Sequence, residues 1–193
     1  DNFYPLQNLK KEKNEFNVLF IGQLSIRKGL HYLIEGFKKF RHVNKKLTII
    51  GPETKDKIFF RNLLKKNNNQ NIVYLGTKTH EEINKYFNKS DVFILPSLEE
   101  GLATVVLQAI SSGCPVIVSE NTGALEIVEN NKCGFVIPIR NSNIIAEKLS
   151  ELAEDEILRK KFSINAIKFS KNYTWEKYVE NLDQLVENFI KIN

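Results

Sequence analysis

The sequence predicts an α/β fold, a doubly wound parallel sheet of about six strands followed by a helical C-terminal segment. Short apolar runs rich in β-branched residues recur up to residue 137. They lack the polar–apolar alternation of half-exposed strands, which indicates strands buried on both faces. Segments with helical apolar spacing separate the runs, and strands that alternate with helices form parallel sheets with right-handed crossovers.

The predicted strands are the apolar runs Val18–Ile21, Leu47–Ile50, Ile72–Leu75, Val92–Leu95, Val116–Val118 and Phe135–Ile137. Between the first two runs, one helical face is formed by Leu30, Leu33, Ile34, Phe37 and Phe40. A later segment places Ile83, Tyr86 and Phe87 on one face in the same way. This alternation is typical of a Rossmann-like domain, in which ligands bind outside the carboxyl ends of the strands.

After residue 138 the apolar pattern is helical throughout. Two stripes are formed by Ile144, Ile145, Leu149 and Leu152 and by Phe162, Ala166 and Phe169. A last helix is expected to begin near Thr174, a suitable N-cap residue. Its apolar face carries Trp175, Tyr178, Leu182, Leu185, Val186 and Phe189. We expect Trp175 and Tyr178 to be core anchors.

Length and composition indicate one globular domain. The chain has 193 residues, of which 42% are hydrophobic, and this is enough for a single core. No apolar run approaches the ~20 residues of a membrane span, and the first residues lack a signal-peptide pattern. Cys114 and Cys133 are too few for a disulfide framework, so we expect reduced, buried thiols in a cytoplasmic protein.

The net charge of +5 is unevenly distributed along the chain. Residues 1–90 contain 18 Lys and Arg against 8 acidic residues, whereas residues 91–139 contain 1 against 6. No aromatic residues alternate with these lysines as a single-stranded nucleic-acid groove requires. We therefore expect solvated helix faces and no nucleic-acid partner. The basic excess leaves peripheral contact of the full-length protein with an anionic membrane surface open.

The nine residues from Glu100 to Gln108 are the main functional signal. They follow the apolar run Val92–Leu95 and precede a helical segment, which we expect to begin after a turn at Glu100 and Gly101. A strand, a turn and a helix N-terminus in this order present free backbone N–H groups at the edge of a parallel sheet. Such groups favour an anionic ligand, so the residues alone predict a nucleotide or phosphate site.

A second signal is the segment Gly22–Gly29, GQLSIRKG, directly after the first predicted strand. Gly22 permits a tight turn and close approach of a ligand to the backbone. Arg27 and Lys28 place two cations at a strand end, where Arg can bind a diphosphate through forked hydrogen bonds and Lys as a point charge. Charges at strand ends are usually exposed, and we expect that of this pair. Alone, this segment is a weak indication of a ligand site. Together with the Glu100 loop, the indication is stronger.

The run PSLEEGLATVVLQAISSGCPVIVS resembles the donor-site signature of the retaining, GT-B-fold glycosyltransferases of group 1. That signature holds one Glu and, after seven further residues, a second. Glu100 matches the first, while Gln108 stands at the second position. Lys28 matches a family Lys, whereas Gln23 stands where Arg is common. The resemblance extends over residues 1–189 and implies the C-terminal, donor-binding domain of such an enzyme.

This resemblance implies a nucleotide-diphosphate sugar as the donor substrate, with no metal and no other cofactor. Arg27 and Lys28 are implied to stabilise charge on the leaving diphosphate, and Glu100 to hold the sugar hydroxyls. The implied binding positions are Gly22 and Gln23 at the first turn, Gly76 and Thr77 at the base, Gly101, Leu102, Ala103 and Thr104 after Glu100, Gln108 at the ribose, and Gly123.

Thr122 and Gly123 follow the fifth predicted strand and precede a short helix predicted over residues 124–129. On the residues alone, this turn is either an ordinary strand–helix connection or a second helix N-terminus that faces the ligand. The resemblance implies that it helps to close the donor pocket.

The resemblance also implies a domain organisation. Residues 1–15 are expected to form an interdomain junction and residues 16–193 the donor-binding domain, with the N-terminal acceptor domain outside this sequence. The complete enzyme would transfer a sugar with retention, and this part alone is expected to be inactive. Two alternatives stay open: a lapsed pseudo-glycosyltransferase or regulatory subunit, suggested by Gln23 and Gln108, and a nucleotide-sugar epimerase of the same architecture.

Overall fold

A computed structural model describes residues 3–7, 15–67 and 71–192. The strands are β1 (Phe16–Ile21), β2 (Lys45–Ile50), β3 (Ile72–Tyr74), β4 (Val92–Leu95), β5 (Val116–Ser119) and β6 (Gly134–Ile137). The helices are α1 (Leu30–Lys39), α2 (Lys57–Lys66), α3 (His80–Lys89), α4 (Thr104–Ser111), α5 (Leu125–Asn131), α6 (Ser142–Glu154), α7 (Glu156–Ser170) and α8 (Trp175–Ile192). All strand pairs are parallel, in the order β3-β2-β1-β4-β5-β6. The predicted doubly wound, Rossmann-like sheet is confirmed.

Burial on both faces was expected for every strand and is wrong for the edge strands. The central strands β4 and β5 are fully buried, but all three residues of β3 and most of β6 are only half-buried. An edge strand has a neighbour on one side only, so part of its surface stays in contact with water.

The core lies between the sheet and the helices on its two faces. Helix α1 packs against α6, and α4 packs against α7. The largest fully buried side chains include Phe20, Phe37, Phe60, Phe87 and Phe93. Each of these aromatic side chains buries a large apolar area, which makes this cluster a main stabilising contribution.

The two cysteines are both buried and free, as predicted. The exposed fraction is 2% for Cys114 and 0% for Cys133. Burial raises the pKa of the Cys133 thiol to about 11, because a thiolate is poorly solvated in apolar surroundings.

The C-terminal segment is helical as predicted, but its last apolar stripe is not covered. Helix α8 begins after Thr174, whose hydroxyl oxygen accepts a hydrogen bond from the Lys177 amide at 3.3 Å. Tyr178 is 57% exposed and Leu185 67% exposed, so Tyr178 is not the core anchor that we expected. Helical spacing predicts which face of a helix is apolar, but it does not predict which part of the protein packs against that face. The side chains of Trp175 and Phe189 lie outside the described residues.

Residues 3–7 of the expected junction lie against α3. The Tyr4 amide donates to Asn84 Oδ1 at 3.3 Å, and the Leu6 amide donates to Asn88 Oδ1 at 2.7 Å. The Phe3 ring lies 6.0 Å from the Phe87 ring in an edge-on arrangement. Residues 1–2 and 8–14 of the expected junction lie outside the described residues.

Within the described ranges, none of the helices combines the length and the apolar character that a bilayer crossing requires.

Candidate functional site

An open cavity of about 470 Å³ lies at the carboxyl edge of the sheet. Its walls come from the segments after β1, β2 and β3 and from the loop and helix after β4. Ten of the thirteen predicted site residues line it: Gly22, Gln23, Arg27, Lys28, Thr77, Glu100, Leu102, Ala103, Thr104 and Gln108. Residues far apart in the sequence therefore meet at one site, as expected where the strand order reverses between β1 and β4.

Three predicted residues do not line the cavity: Gly76, Gly101 and Gly123. The Gly76 carbonyl accepts a hydrogen bond from the Gly51 amide at 2.8 Å, in the turn after β3. The Gly123 amide donates to the carbonyls of Glu100 and Gly101, both at 3.2 Å. A Cβ on Gly123 would lie 2.9 Å from the Leu102 amide nitrogen. Gly123 therefore packs against the backbone of the Glu100 loop and does not line the cavity.

The cavity also contains residues that we did not predict. Gly51 and Pro52 follow β2, and the other unpredicted wall residues are Ile21, Ile50, Lys78, Ile83 and Val105. A Cβ on Gly51 would lie 2.0 Å from the Gly22 carbonyl oxygen, so only glycine allows the two strand ends to approach this closely. The Gly–Pro pair after an apolar run was a usable signal. Ile83 and Val105 gave no sequence signal for a site, because their spacing indicates only the apolar face of a helix.

The two predicted cations lie on one turn of 3₁₀ helix, Ile26–Lys28, that ends at Gly29. Gly29 has a positive φ of 68°, which reverses the chain into α1. The Arg27 carbonyl accepts a hydrogen bond from the Leu98 amide at 2.8 Å. The turn that carries the cations is thereby joined to the loop that carries Glu100.

The Glu100 carboxylate pairs with both cations. Its Oε2 lies 3.1 Å from Arg27 Nη1 and also contacts Lys28 Nζ. The Arg27 side chain is 48% exposed, but that of Lys28 is only 11% exposed and that of Glu100 16%. The expectation of an exposed pair is therefore wrong for Lys28, because the cavity walls and the carboxylate cover it. The residue predicted for the sugar thus faces the residues predicted for the diphosphate.

The backbone of the Glu100 loop is held on both sides. The Glu100 amide donates to the Asn121 carbonyl at 3.0 Å, and Asn121 Nδ2 donates to the Leu98 carbonyl at 3.0 Å. Arg27 Nη1 also donates to the Glu99 carbonyl at 2.9 Å. These bonds fix the backbone of the loop, and none of them uses the Glu100 carboxylate.

Helix α4 begins at Thr104, three residues after the turn glycine, and not directly after Gly101. Its N-cap is Ala103, which has no side-chain acceptor for the first backbone N–H groups. Ala103, Thr104, Val105 and, one turn further on, Gln108 line the cavity. An N-terminus without a side-chain cap leaves N–H donors and a partial positive charge for a ligand.

Helix α5 begins at Leu125, one residue later than predicted. The Thr122 hydroxyl donates to the Ser119 carbonyl at 2.8 Å and is buried. This bond closes the turn between β5 and α5, which favours a structural role for Thr122.

The charged side chains of the cavity wall are predominantly positive. Arg27, Lys28 and Lys78 face it together with Glu100, and Lys78 pairs with Glu82 at 3.4 Å. Across the part of the chain that the structure describes, no group of three or more His, Cys, Asp and Glu side chains is placed to hold a metal ion. The site suits an anion with hydrogen-bonding groups.

Comparison with known proteins identifies the family. The profile of the family "Glycosyl transferases group 1" matches residues 6–169. A curated relative, the capsular polysaccharide biosynthesis glycosyltransferase CapM of Staphylococcus aureus, is 31% identical over 203 residues. The match covers 97% of this chain and 52% of CapM, so the chain spans about half of that relative's length.

Solved structures share the fold. Sucrose-phosphate synthase from Thermosynechococcus elongatus matches with a TM-score of 0.85 at 21% identity, over 100% of this chain and 51% of that one. The C-terminal domain of the group 1 protein LpcC from Francisella tularensis matches with a TM-score of 0.78 at 24% identity. The match covers 88% of this chain and 94% of that one. Anabaena HepE, solved with UDP-glucose, matches with a TM-score of 0.77 at 20% identity. The match covers 93% of this chain and 50% of that one.

The family profile covers most of the chain, and the sheet, the cavity and the Glu100 loop all lie within the matched residues. This chain belongs to the group 1 family of glycosyltransferases.

Proposed function

We propose that this chain is the C-terminal, donor-binding domain of a retaining glycosyltransferase that uses a nucleotide-diphosphate sugar. The observation that carries the proposal is the convergence of Arg27, Lys28 and the uncapped start of α4 on one cavity at the carboxyl edge of the sheet. These groups supply two full positive charges and free N–H donors within the same walls.

The cations suit the diphosphate of such a donor. When the sugar leaves, negative charge grows on the diphosphate, and groups placed to meet that charge lower the barrier to transfer. Lys28 is well placed for this role, because its side chain is 11% exposed and a partly desolvated charge acts more strongly than one in water.

The remaining groups suit the other parts of the donor. Glu100 can accept hydrogen bonds from sugar hydroxyls, and Gln108 offers an amide oxygen to the ribose. Thr77, at the turn after β3, lies on the wall where the base would sit. The complex of HepE with UDP-glucose supports a donor of this class. The match to nearly all of the LpcC C-terminal domain supports the C-terminal position.

The proposal is tested by thermal unfolding with a panel of UDP-, GDP- and ADP-sugars. At a hundredfold excess over Kd, a ligand stabilises the folded state by about 2.7 kcal/mol, which corresponds to several degrees for a domain of this size. We expect one nucleotide class to raise the midpoint for the wild type and to have little effect on the double variant Arg27→Ala, Lys28→Ala.

The matched control is Lys55→Ala, Lys57→Ala, which removes two exposed cations outside the cavity. It should respond like the wild type. A wild type that no sugar nucleotide stabilises, or an equal response in both double variants, would contradict the proposal.

A lapsed enzyme that still binds donor is the second candidate, because Gln23 and Gln108 both line the cavity as neutral residues. Transfer, or slow hydrolysis of the bound donor, by this domain joined to its acceptor half would exclude that candidate. Donor binding without turnover in the joined protein would favour it.

A further inference from the structure

We propose that Glu100 is an internal counter-ion of Arg27 and Lys28, and that a diphosphate binds these cations by displacing its carboxylate. The inference rests on the proposed function, since it concerns the same cavity. It adds a role for Glu100 that precedes any contact with the sugar.

The two cations share one carboxylate oxygen. Glu100 Oε2 lies 3.1 Å from Arg27 Nη1 and also contacts Lys28 Nζ. A phosphate oxygen that bridges Arg27 Nη1 and Lys28 Nζ in the same way competes for the position that this oxygen holds. Two anionic groups in contact repel each other by several kcal/mol outside bulk water, so the carboxylate and the diphosphate cannot both occupy it.

Among the described residues that line the cavity, Glu100 is the one with an acidic side chain. The third cation of the wall, Lys78, pairs with Glu82, which does not line the cavity. The competition within the cavity therefore concerns Glu100. Neutralising this one side chain should be enough to remove it.

The hydrogen bonds that hold the Glu100 loop do not involve its carboxylate. The Glu100 amide and carbonyl are bonded to Asn121 and Gly123, and the loop is joined to the cation turn through Leu98 and Arg27. The side chain retains 16% exposure. Rotation of that side chain away from the cations is therefore the least costly way to make room for the phosphates.

The exchange works in both directions. When a diphosphate leaves, the Glu100 carboxylate returns to the cations, so neither Lys28 nor Arg27 is left unpaired in a partly desolvated wall. Glu100 therefore weakens the hold on any diphosphate and favours its release. This makes it a determinant of how firmly the site retains a nucleoside diphosphate after transfer.

The test is isothermal titration of inorganic pyrophosphate, which carries neither base nor sugar, into the wild type and Glu100→Gln. The amide keeps the size of the side chain and removes its charge. We expect Glu100→Gln to bind pyrophosphate about tenfold more tightly, as loss of one opposing charge at this range allows. Glu100→Ala, which cannot contact the cations at all, should show a gain of the same sign.

The matched control is Glu99→Gln on the same loop. Glu99 is exposed, its side chain does not line the cavity, and Arg27 contacts only its carbonyl. This variant changes the net charge equally, so its pyrophosphate affinity should stay close to that of the wild type.

Equal pyrophosphate affinity in the wild type, Glu100→Gln and Glu100→Ala would overturn the inference and leave the proposed function intact. So would equal gains in Glu99→Gln and Glu100→Gln, which would reflect net charge alone. If pyrophosphate does not bind while a sugar nucleotide stabilises the protein, displacement of Glu100 by a diphosphate is overturned, whereas binding of a sugar nucleotide stands. If neither ligand binds, the proposed function falls with it.

Discussion

A Cβ atom placed on Gly29 would lie 1.9 Å from the carbonyl oxygen of Pro96. Gly29 ends the turn that carries Arg27 and Lys28, and Pro96 follows β4 at the start of the loop that carries Glu100. The two sides of the site therefore approach each other at a point that only glycine can occupy.

Gly29→Ala should destabilise the fold by more than about 3 kcal/mol, since it combines a backbone clash with a left-handed conformation. Gly76→Ala is the matched control, because Gly76 has a similar φ of 66° but open space around its Cβ position. It should cost only about 1–2 kcal/mol. Urea denaturation measures both. Similar losses in the two variants would show that the contact with Pro96 is relaxed by local movement.

Lys28→Met should weaken binding of the sugar nucleotide more than Arg27→Met, and each should cost roughly 1.5–3 kcal/mol. The Lys28 side chain is 11% exposed and that of Arg27 48% exposed, so salt screens Arg27 more. Titration calorimetry at low and high salt should show the loss for Arg27→Met shrinking as salt rises. A salt response that is the same for both variants would contradict this ranking.

Gln108→Glu should tighten binding of a nucleotide by about 1 kcal/mol, because a charged acceptor bonds ribose hydroxyls more strongly than an amide oxygen does. The gain should be present for ribonucleotides and absent for their 2′,3′-dideoxy analogues. Fluorescence or calorimetric titration with the two ligand types measures it. Equal gains with both types would place the ribose away from Gln108.

The buried thiol of Cys133 should make stability fall in alkaline solution. Its pKa is raised from 9.0 to about 11, so the folded state keeps the thiol neutral where the unfolded chain ionises it. The contribution is fully present below pH 9 and is lost as pH rises towards 11, by about 2–3 kcal/mol in all.

Urea midpoints at pH 8 and pH 10.5 measure this loss. Cys133→Ala serves as the control, since it lacks the thiol and keeps every other alkaline titration. The wild type should lose more stability between the two pH values than the variant. Parallel losses would show that the Cys133 thiol titrates normally.

The strands could be predicted well where local pattern decides. The run predicted for β4, Val92–Leu95, has the bounds that the structure gives. Strands β1 and β2 begin two residues before the predicted runs, at Phe16 and Lys45. Strand β2 begins with Lys45 and Lys46, which are only half-buried. A search for apolar runs misses polar residues of this kind.

The sequence predicted most of the residues that line the cavity, but not the contacts between them. Ten of the predicted residues line the cavity because strand ends of a parallel sheet share one edge. The pairing of Glu100 with Arg27 and Lys28 was not predicted, since the residues lie more than 70 positions apart. It depends on β1 lying beside β4, and the sequence pattern does not specify the strand order.

The strand order reverses where the pairing between neighbouring strands covers the fewest residues. Strand β1 is in register with β2 over six residue pairs but with β4 over only two, Val18 with Val92 and Leu19 with Phe93. The cavity straddles this short ladder, with one wall from each half. A ligand that contacts both walls loses contacts when the two halves separate, so its binding raises the free energy of that opening. Binding should therefore slow amide exchange in β1 and β4 more than in the outer strand β6.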